Sequence, residues 1–205
     1  MDVMSLARAE RADLAALLRT LSLEQWDAPS LCSRWRVRDV VAHIVSYEGL
    51  GLFGLGQRVL KGRLRPDAVN AAGVSEHRDR TPEDLIALVE RYEVPQGLTA
   101  RFGGRIALTD GVIHQQDIRR PLHLPRTVPP ERLRVALPFA MTSPLILGFW
   151  HARGVRVVAT DLDWAAGSGP EVRGRGEAIL MAVAGRHGIA EDLSGPGVDR
   201  LQRHG

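Results

Sequence analysis

One short segment of the chain, residues 110–117, carries acidic and histidine side chains at the spacing of a single helix face. In an α-helix with about 3.6 residues per turn, Asp110, His114 and Asp117 fall within one narrow stripe. Imidazole nitrogen and carboxylate oxygen both suit Zn²⁺ and other first-row divalent ions. The Asp110–His114 pair therefore indicates either a metal site or a half-buried histidine that is hydrogen-bonded by a neighbouring aspartate.

A second histidine, His43, lies in the apolar run Val-Val-Ala-His-Ile-Val of another predicted helix. A neutral imidazole in such a place needs a hydrogen-bond partner or a metal ion. Because ligands from two facing helices can meet in the core of a helix bundle, His43 can join Asp110 and His114. The three residues could then form a metal site with an open position for water or substrate, and hydrogen-bonded histidines in the core are the alternative at this point. No further catalytic residue is assigned.

The residues around this segment have supporting roles in the prediction. Asp117 is expected either to orient a ligand imidazole or to pair with Arg119 or Arg120, and not to bind the metal itself. Either arginine could also bind a carboxylate of a substrate. Cys32 is expected to be a small packing residue. Gln115 and its neighbour Gln116 are expected to lie at the surface.

Hydrophobic periodicity and capping residues predict the helices that position these side chains. The region from Gly62 to Arg80 is polar and is predicted to be a loop. The motif Gly49-x-Gly51-x-x-Gly54 follows a helix and has no strand before it, so a dinucleotide-binding site is rejected. The predicted helices are one around Leu6–Leu21, one that begins after Trp35, one from Pro82 to about Tyr92, one from Gly104 to Arg119, and one from Glu131 that its two prolines kink or split.

The C-terminal part of the chain has a different pattern. Residues 155–160 are β-branched and strand-like, a turn follows at 167–170, and short helices are predicted near 178–184 and 198–203. The predicted fold is mostly α. Residues 1–152 form an up-and-down helical bundle, and residues 153–205 form a small α/β piece. Because that piece is too small for a core of its own, it is expected to dock on the bundle or on the second subunit of a homodimer.

Composition excludes several classes of protein. The 205-residue chain is 44% hydrophobic, and Lys61 is the single lysine among 27 basic residues. The pI of about 9.7 accompanies a net charge of only +3, so it reflects few titrating groups rather than a nucleic-acid partner. The apolar stretch 136–150 contains two prolines and is too short to span a membrane. With one cysteine and no secretory segment, a cytoplasmic protein is expected.

Two motifs resemble those of a known family. Residues 31–44 read LCSRWRVRDVVAHI, and residues 110–122 read DGVIHQQDIRRPL. Both resemble signatures of the mycothiol-dependent maleylpyruvate isomerase family, which belongs to the DinB-like superfamily of metal-binding four-helix bundles. The resemblance covers about residues 6–150, and residues 167–174 look like a truncated form of the family's C-terminal domain. It implies a metal held by His43, Asp110 and His114, although the characterised isomerase has Glu at the position of Asp110.

The resemblance also implies a function. A divalent metal, with zinc preferred, would act with a low-molecular-weight thiol of the mycothiol type on a small electrophilic substrate, as a transferase or isomerase. Two alternatives stay open: a metal-stabilised binding or regulatory module without turnover, and a hydrolase in which the metal activates water.

Overall fold

The computed structural model of the chain describes residues 2–63 and 65–203, which divide into two compact units, one ending at Pro125 and the other beginning at Arg126. The helices of the first unit are α1 (Val3–Leu18), α2 (Leu23–Asp27), α3 (Val37–Ser46), α4 (Leu52–Lys61), α5 (Pro66–Ser75), α6 (Pro82–Arg91) and α7 (Arg105–Arg119). Those of the second unit are α8 (Pro130–Thr142), α9 (Gly148–His151), α10 (Gly176–Val183) and α11 (Val198–Gln202).

Four helices of the first unit, α1, α3, α6 and α7, form its bundle. Helix α1 packs against α6 and α7, and α3 packs against the same two helices. The core between them contains fully buried aliphatic and aromatic side chains such as Leu14, Trp26 and Ile44. The four-helix bundle predicted from the sequence is therefore confirmed, together with the mostly helical fold class.

The starts of these helices follow the local sequence. Thr81 Oγ1 accepts a hydrogen bond from Asp84 N, and Asp84 Oδ2 accepts one from Thr81 N, so the two residues form a capping box at the start of α6. At the start of α3, Asp39 Oδ2 accepts a hydrogen bond from Arg36 N. The valines and isoleucine of α3 then recur on the face that is buried in the bundle. Burial of this face sets the rotation of α3 within the bundle, and it thereby sets the position of His43.

The prediction of a loop from Gly62 to Arg80 is wrong, because this region contains α5. The helix begins with Pro66 at its first turn, a position that proline favours. It packs closely on α3 at Gly73, where an added Cβ would lie 2.6 Å from Ser46 Oγ. The small residues of α5 allow this close approach, and they also leave it without the large apolar residues that mark a helix in sequence.

The strands of the second unit are β1 (Arg156–Ala159), β2 (Ala165–Gly167), β3 (Glu171–Gly174) and β4 (Leu193–Ser194). They form one sheet in the order β2-β1-β3-β4. Strands β1 and β3 are parallel, with Val157 opposite Val172, and the other two pairs are antiparallel. Helix α10 packs on β1 and β3.

The division between the units comes earlier than the predicted boundary at residue 152. Helix α8, assigned to the bundle from the sequence, packs against α9 and α10 and so belongs to the second unit. It continues through Pro138 as far as Thr142, and α9 follows as a separate turn. Among the described helices, none combines the length and apolar character needed to cross a bilayer.

Candidate metal centre

Helices α3 and α7 bring together the three residues that the sequence predicts as ligands. His43 comes from α3, and Asp110 and His114 come from successive turns of α7. Asp110 Oδ1 lies 3.3 Å from His114 Nε2 and 3.9 Å from His43 Nε2, and the two imidazole centroids are 4.8 Å apart. One donor atom of each residue lies within 4.8 Å of the others. His43, which is 67 residues from Asp110 in the sequence, therefore lies close to both ligands of α7.

His114 is held from its other side by Asp117. The Nδ1 atom of His114 lies 2.8 Å from Asp117 Oδ2, and Asp117 is fully buried. When Nδ1 carries the proton and donates to this carboxylate, the lone pair of the neutral ring is on Nε2, which faces Asp110. Such carboxylate–histidine pairs commonly orient metal-binding imidazoles. The structure thus places Asp117 where it can orient His114.

Cys32 also reaches Asp117, which the sequence did not predict. Its Sγ donates a hydrogen bond to Asp117 Oδ2 at 3.2 Å, and the preceding residue, Leu31, donates from its backbone N to Asp117 O at 3.0 Å. Cys32, His114 and Asp117 form a second group of metal-ligating atoms, which shares His114 with the first. The contact joins residues 85 positions apart. No local pattern in the sequence could have indicated it.

Aromatic side chains surround His43. The ring of Trp35 lies 4.9 Å from that of His43 at an angle of 39°, and Tyr47 meets the imidazole edge-on at 5.6 Å. Tyr47 donates from its hydroxyl to Asn70 Oδ1 of α5 at 2.6 Å. Burial raises the pKa of Tyr47, an effect that the nearby Arg58 partly opposes. Helix α5, which the sequence analysis missed, therefore supports the aromatic wall of the site.

The opposite charges of Asp110 and His114 on α7 shift the pKa of each residue. Burial alone would raise the pKa of Asp110, but the charge and hydrogen bond of His114, with smaller contributions from His43, hold it well below its ordinary value. Burial would likewise lower the pKa of His114. The Asp110 charge and the hydrogen bonds of His114 with Asp110, Asp117 and Cys32 outweigh burial and raise that pKa well above its ordinary value. Without a metal, the raised pKa favours a protonated His114 whose positive charge faces Asp110.

The remaining predicted residues lie at the end of α7. Arg119 and Arg120 are half-buried, and Arg119 Nε donates to Gln115 Oε1 at 3.1 Å. A pairing of Asp117 with either arginine stays a prediction. The expected surface position of Gln115 and its neighbour Gln116 is wrong, since both are buried. Gln115 Nε2 donates to Glu10 Oε1 at 2.8 Å, so this side of α7 packs on α1 rather than facing water.

The donor set fits a divalent metal ion. Two imidazole nitrogens and a carboxylate oxygen are ligands that zinc and related ions accept. The two histidines are almost fully buried, whereas the side chain of Asp110 is 34% exposed. The cluster is therefore in contact with solvent at Asp110, as a catalytic metal site requires.

Comparison with known proteins agrees with the first of the two sequence motifs. Residues 7–94 match the sequence model of a family described as the mycothiol maleylpyruvate isomerase N-terminal domain. The resemblance predicted from the sequence is confirmed. The matched segment includes the LCSRWRVRDVVAHI motif and His43 but ends before α7. The family match therefore covers one of the two helices that carry the candidate ligands.

Two crystal structures have a similar fold. One is a histidine-to-alanine mutant of the mycothiol-dependent maleylpyruvate isomerase, with 16% identity and a TM-score of 0.56. The other is a structure of the mycothiol-dependent maleylpyruvate isomerase, with 14% identity and the same TM-score. Both alignments cover 95% of this chain and 91% of the other chain. No curated protein sequence matches the chain. At these identities the structural likeness establishes the fold.

Proposed function

We propose that this protein is a metal-dependent enzyme that uses a mycothiol-type thiol. The thiol would either be transferred to a small electrophilic substrate or assist the isomerisation of that substrate. The observation that carries the proposal is the convergence of donor atoms from His43, Asp110 and His114 within 4.8 Å. The family match over residues 7–94 supports the choice of thiol and reaction class. The proposed setting is the cytoplasm, with small molecules rather than nucleic acid or a membrane as partners and with a homodimer as the assembly.

Each residue of the centre has a definite task in this proposal. His43 Nε2, Asp110 Oδ1 and His114 Nε2 would hold the ion, for which zinc is the preferred choice. A divalent cation held by these residues would lower the pKa of a bound thiol and so would favour the thiolate at neutral pH. In the metal-bound state Asp117 would accept the Nδ1 proton of His114, which would leave Nε2 to bind the ion.

The surroundings favour a sulfur nucleophile over water. Trp35 and Tyr47 cover His43 with apolar ring surface, and the exposed part of the centre lies on the side of Asp110. An electrophilic carbon is the substrate group that matches a thiolate, because addition at carbon needs no redox partner. Arg119 and Arg120 are the proposed partners of a carboxylate on the substrate or thiol.

The metal content of protein purified without a histidine tag tests the site. We expect close to one divalent ion per wild-type chain, and loss of that ion in His114→Ala. The matched control is His187→Ala, which removes an exposed histidine and should leave the metal content unchanged. Metal-free wild-type protein, prepared without chelators, would contradict the proposal.

Thiol dependence requires a second measurement. In cobalt-substituted protein, mycothiol should shift the visible absorption bands of the metal, whereas S-methylated mycothiol should leave them unchanged because it cannot form a thiolate. Turnover of an activated ester without thiol would indicate a hydrolase instead. Stoichiometric cobalt with neither response would indicate a binding module.

A further inference from the structure

A large cleft in the first unit is not explained by the proposed reaction. It lies between the loop 29–36, which precedes α3, and the C-terminal end of α5 with the turn that follows it. Its volume of about 690 Å³ is in the range of small-molecule binding sites. None of the three candidate metal ligands lines it.

The charged residues that line this cleft are predominantly basic. Five are arginines and two are aspartates, Asp27 and Asp39, among the residues that the structure describes. Both aspartates are already engaged within the protein. Asp27 Oδ1 lies 3.3 Å from Arg36 Nη1 and 2.9 Å from Arg38 Nε, and Asp39 Oδ2 accepts the backbone N–H of Arg36. Little negative charge is left over for the other arginines.

Three guanidinium groups therefore remain available in the cleft. In the described part of the chain, Arg34, Arg78 and Arg80 make no ion pair with a carboxylate, and all three are exposed. They reach the cleft from both of its sides, Arg34 from the loop before α3 and the other two from the turn after α5. Like charges brought to one concavity repel each other unless an anion lies between them. The arrangement thus favours a negatively charged occupant.

The loop that carries Arg34 is held in place before any ligand binds. Ser30 N donates to Trp35 O at 3.0 Å, and Trp35 N donates back to Cys32 O at 2.8 Å. Ser30 Oγ donates to Trp35 O at 2.7 Å and accepts from Cys32 N at 3.1 Å. Because these bonds fix the backbone on both sides of Arg34, a ligand would not have to order this wall of the cleft.

We propose that this cleft binds a small molecule that carries at least two oxyanion charges, as carboxylate or phosphate groups. The planar guanidinium fork binds both groups through paired, charge-assisted hydrogen bonds, which makes arginine suited to this chemistry. The half-buried Trp35, together with Val74 and Leu85, provides apolar surface for the carbon skeleton. A nucleic acid fits less well, because the basic groups line a concavity that also contains two aspartates rather than an extended surface.

The cleft also shares a wall with the candidate metal centre. Trp35 packs on His43, and Cys32 donates to Asp117, while both residues line the cleft. The proposed anion site is therefore adjacent to the metal centre but is formed by different charged residues. Its occupation can be tested whether or not the protein binds metal.

Isothermal titration calorimetry in low-salt buffer tests this proposal, with citrate and pyrophosphate as probes. At least one probe should bind saturably at one site per chain. The double variant Arg34→Ala, Arg78→Ala should weaken that binding at least about tenfold, equivalent to about 1.4 kcal/mol. The control Arg101→Ala, Arg134→Ala removes two exposed arginines outside the cleft and should change affinity less than about twofold.

Each outcome bears on the proposal. Binding of citrate alone indicates carboxylates, binding of pyrophosphate alone indicates phosphates, and binding of both indicates a general oxyanion site. Failure of both probes to bind would overturn the proposal, and so would an equal loss in the control variant. Binding of a single-stranded oligonucleotide without either small probe would replace the cleft with a nucleic-acid surface. Thermal unfolding of both double variants verifies that they are folded.

Discussion

Two buried polar clusters in the first unit differ in the group that supplies their positive charge. In the first, Arg11 Nη2 donates to Glu48 Oε1 at 2.6 Å, and both side chains are almost fully buried. Glu48 also accepts hydrogen bonds from Thr99 Oγ1 and from Gln96 N. In the second, Asp110 faces two imidazoles, and the positive charge depends on a proton held by His114.

This difference separates a structural cluster from a candidate functional one. Arginine keeps its proton at every physiological pH, so the Arg11–Glu48 cluster carries a permanent cation of its own. Imidazole can release its proton, and the cluster around Asp110 can then accept a metal ion in its place. Burial of polar groups is common to both clusters. The capacity to exchange one cation for another belongs to the second cluster.

Breaking the permanent pair should give the largest effect. Arg11→Met leaves the Glu48 carboxylate buried without its cation, which should lower the free energy of unfolding by about 3–5 kcal/mol. Chemical denaturation measures this loss. The double variant Arg11→Met, Glu48→Gln should be more stable than the single variant, because the unpaired charge is gone. A loss below about 1 kcal/mol in Arg11→Met would contradict the structural role.

Removing the charge beside His114 should weaken metal binding instead. Asp117→Asn keeps a hydrogen-bond acceptor of similar size but removes the carboxylate that orients the imidazole. Zinc affinity, measured by competition with a chelator, should fall about 10–100-fold. Asp163→Asn, which changes an exposed aspartate, is the control and should bind zinc as the wild type does. Unchanged affinity in Asp117→Asn would remove Asp117 from the centre.

The pH dependence of stability should distinguish proton from metal in the second cluster. Because the pKa of His114 is raised above 6.5 in the folded, metal-free protein, its stabilising effect is complete below pH 6.5 and is lost as pH rises through the raised value. The lowered pKa of Asp110 affects stability at the acidic end of the pH range instead. Its contribution is present above pH 3.8 and is lost as pH falls through the lowered value.

The measurement compares chelator-treated and zinc-loaded protein. The treated protein should lose stability with increasing pH above 6.5, and the zinc-loaded protein should not, since the metal replaces the proton. His114→Ala should lack the alkaline loss. A treated wild-type protein with the same pH profile as His114→Ala would rule out the exchange.

The smallest expected effect concerns one hydrogen bond of the permanent cluster. Thr99→Val removes the hydroxyl that donates to Glu48 Oε1 at 2.6 Å and should lower the free energy of unfolding by about 1.5 kcal/mol. Metal affinity should not change. The control Thr160→Val alters an exposed threonine and should change stability by less than about 0.5 kcal/mol.

The sequence predicted those parts of the site that depend on local periodicity. Helices α3 and α7 could be recognised from their apolar patterns, and the spacing of Asp110, His114 and Asp117 placed all three on one face of α7. Capping residues such as Thr81 located the start of α6. These features depend on neighbours within one or two helical turns, and such neighbours can be read directly from the sequence.

The rest depends on contacts between distant segments. The hydrogen bond from Cys32 to Asp117 and the support of Tyr47 by Asn70 arise only when loops and helices pack together. Helix α5 is held by close packing of Gly73 on Ser46, and small residues give no periodic apolar signal. The boundary between the units was placed too late because α8 is apolar enough for either unit, and its partner is decided by packing against α10.

Helix α7 alone carries Asp110, His114 and Asp117 within eight residues, so backbone hydrogen bonds fix the relative positions of their Cα atoms. If α7 shifts as a rigid body, the arrangement of these three residues is preserved, and only their distance to His43 on α3 changes. The distance between α3 and α7 then decides whether His43 can bind the same ion as Asp110 and His114. Any change that moves α3 away from α7 should therefore remove His43 from the metal ligands without disturbing the arrangement of Asp110, His114 and Asp117.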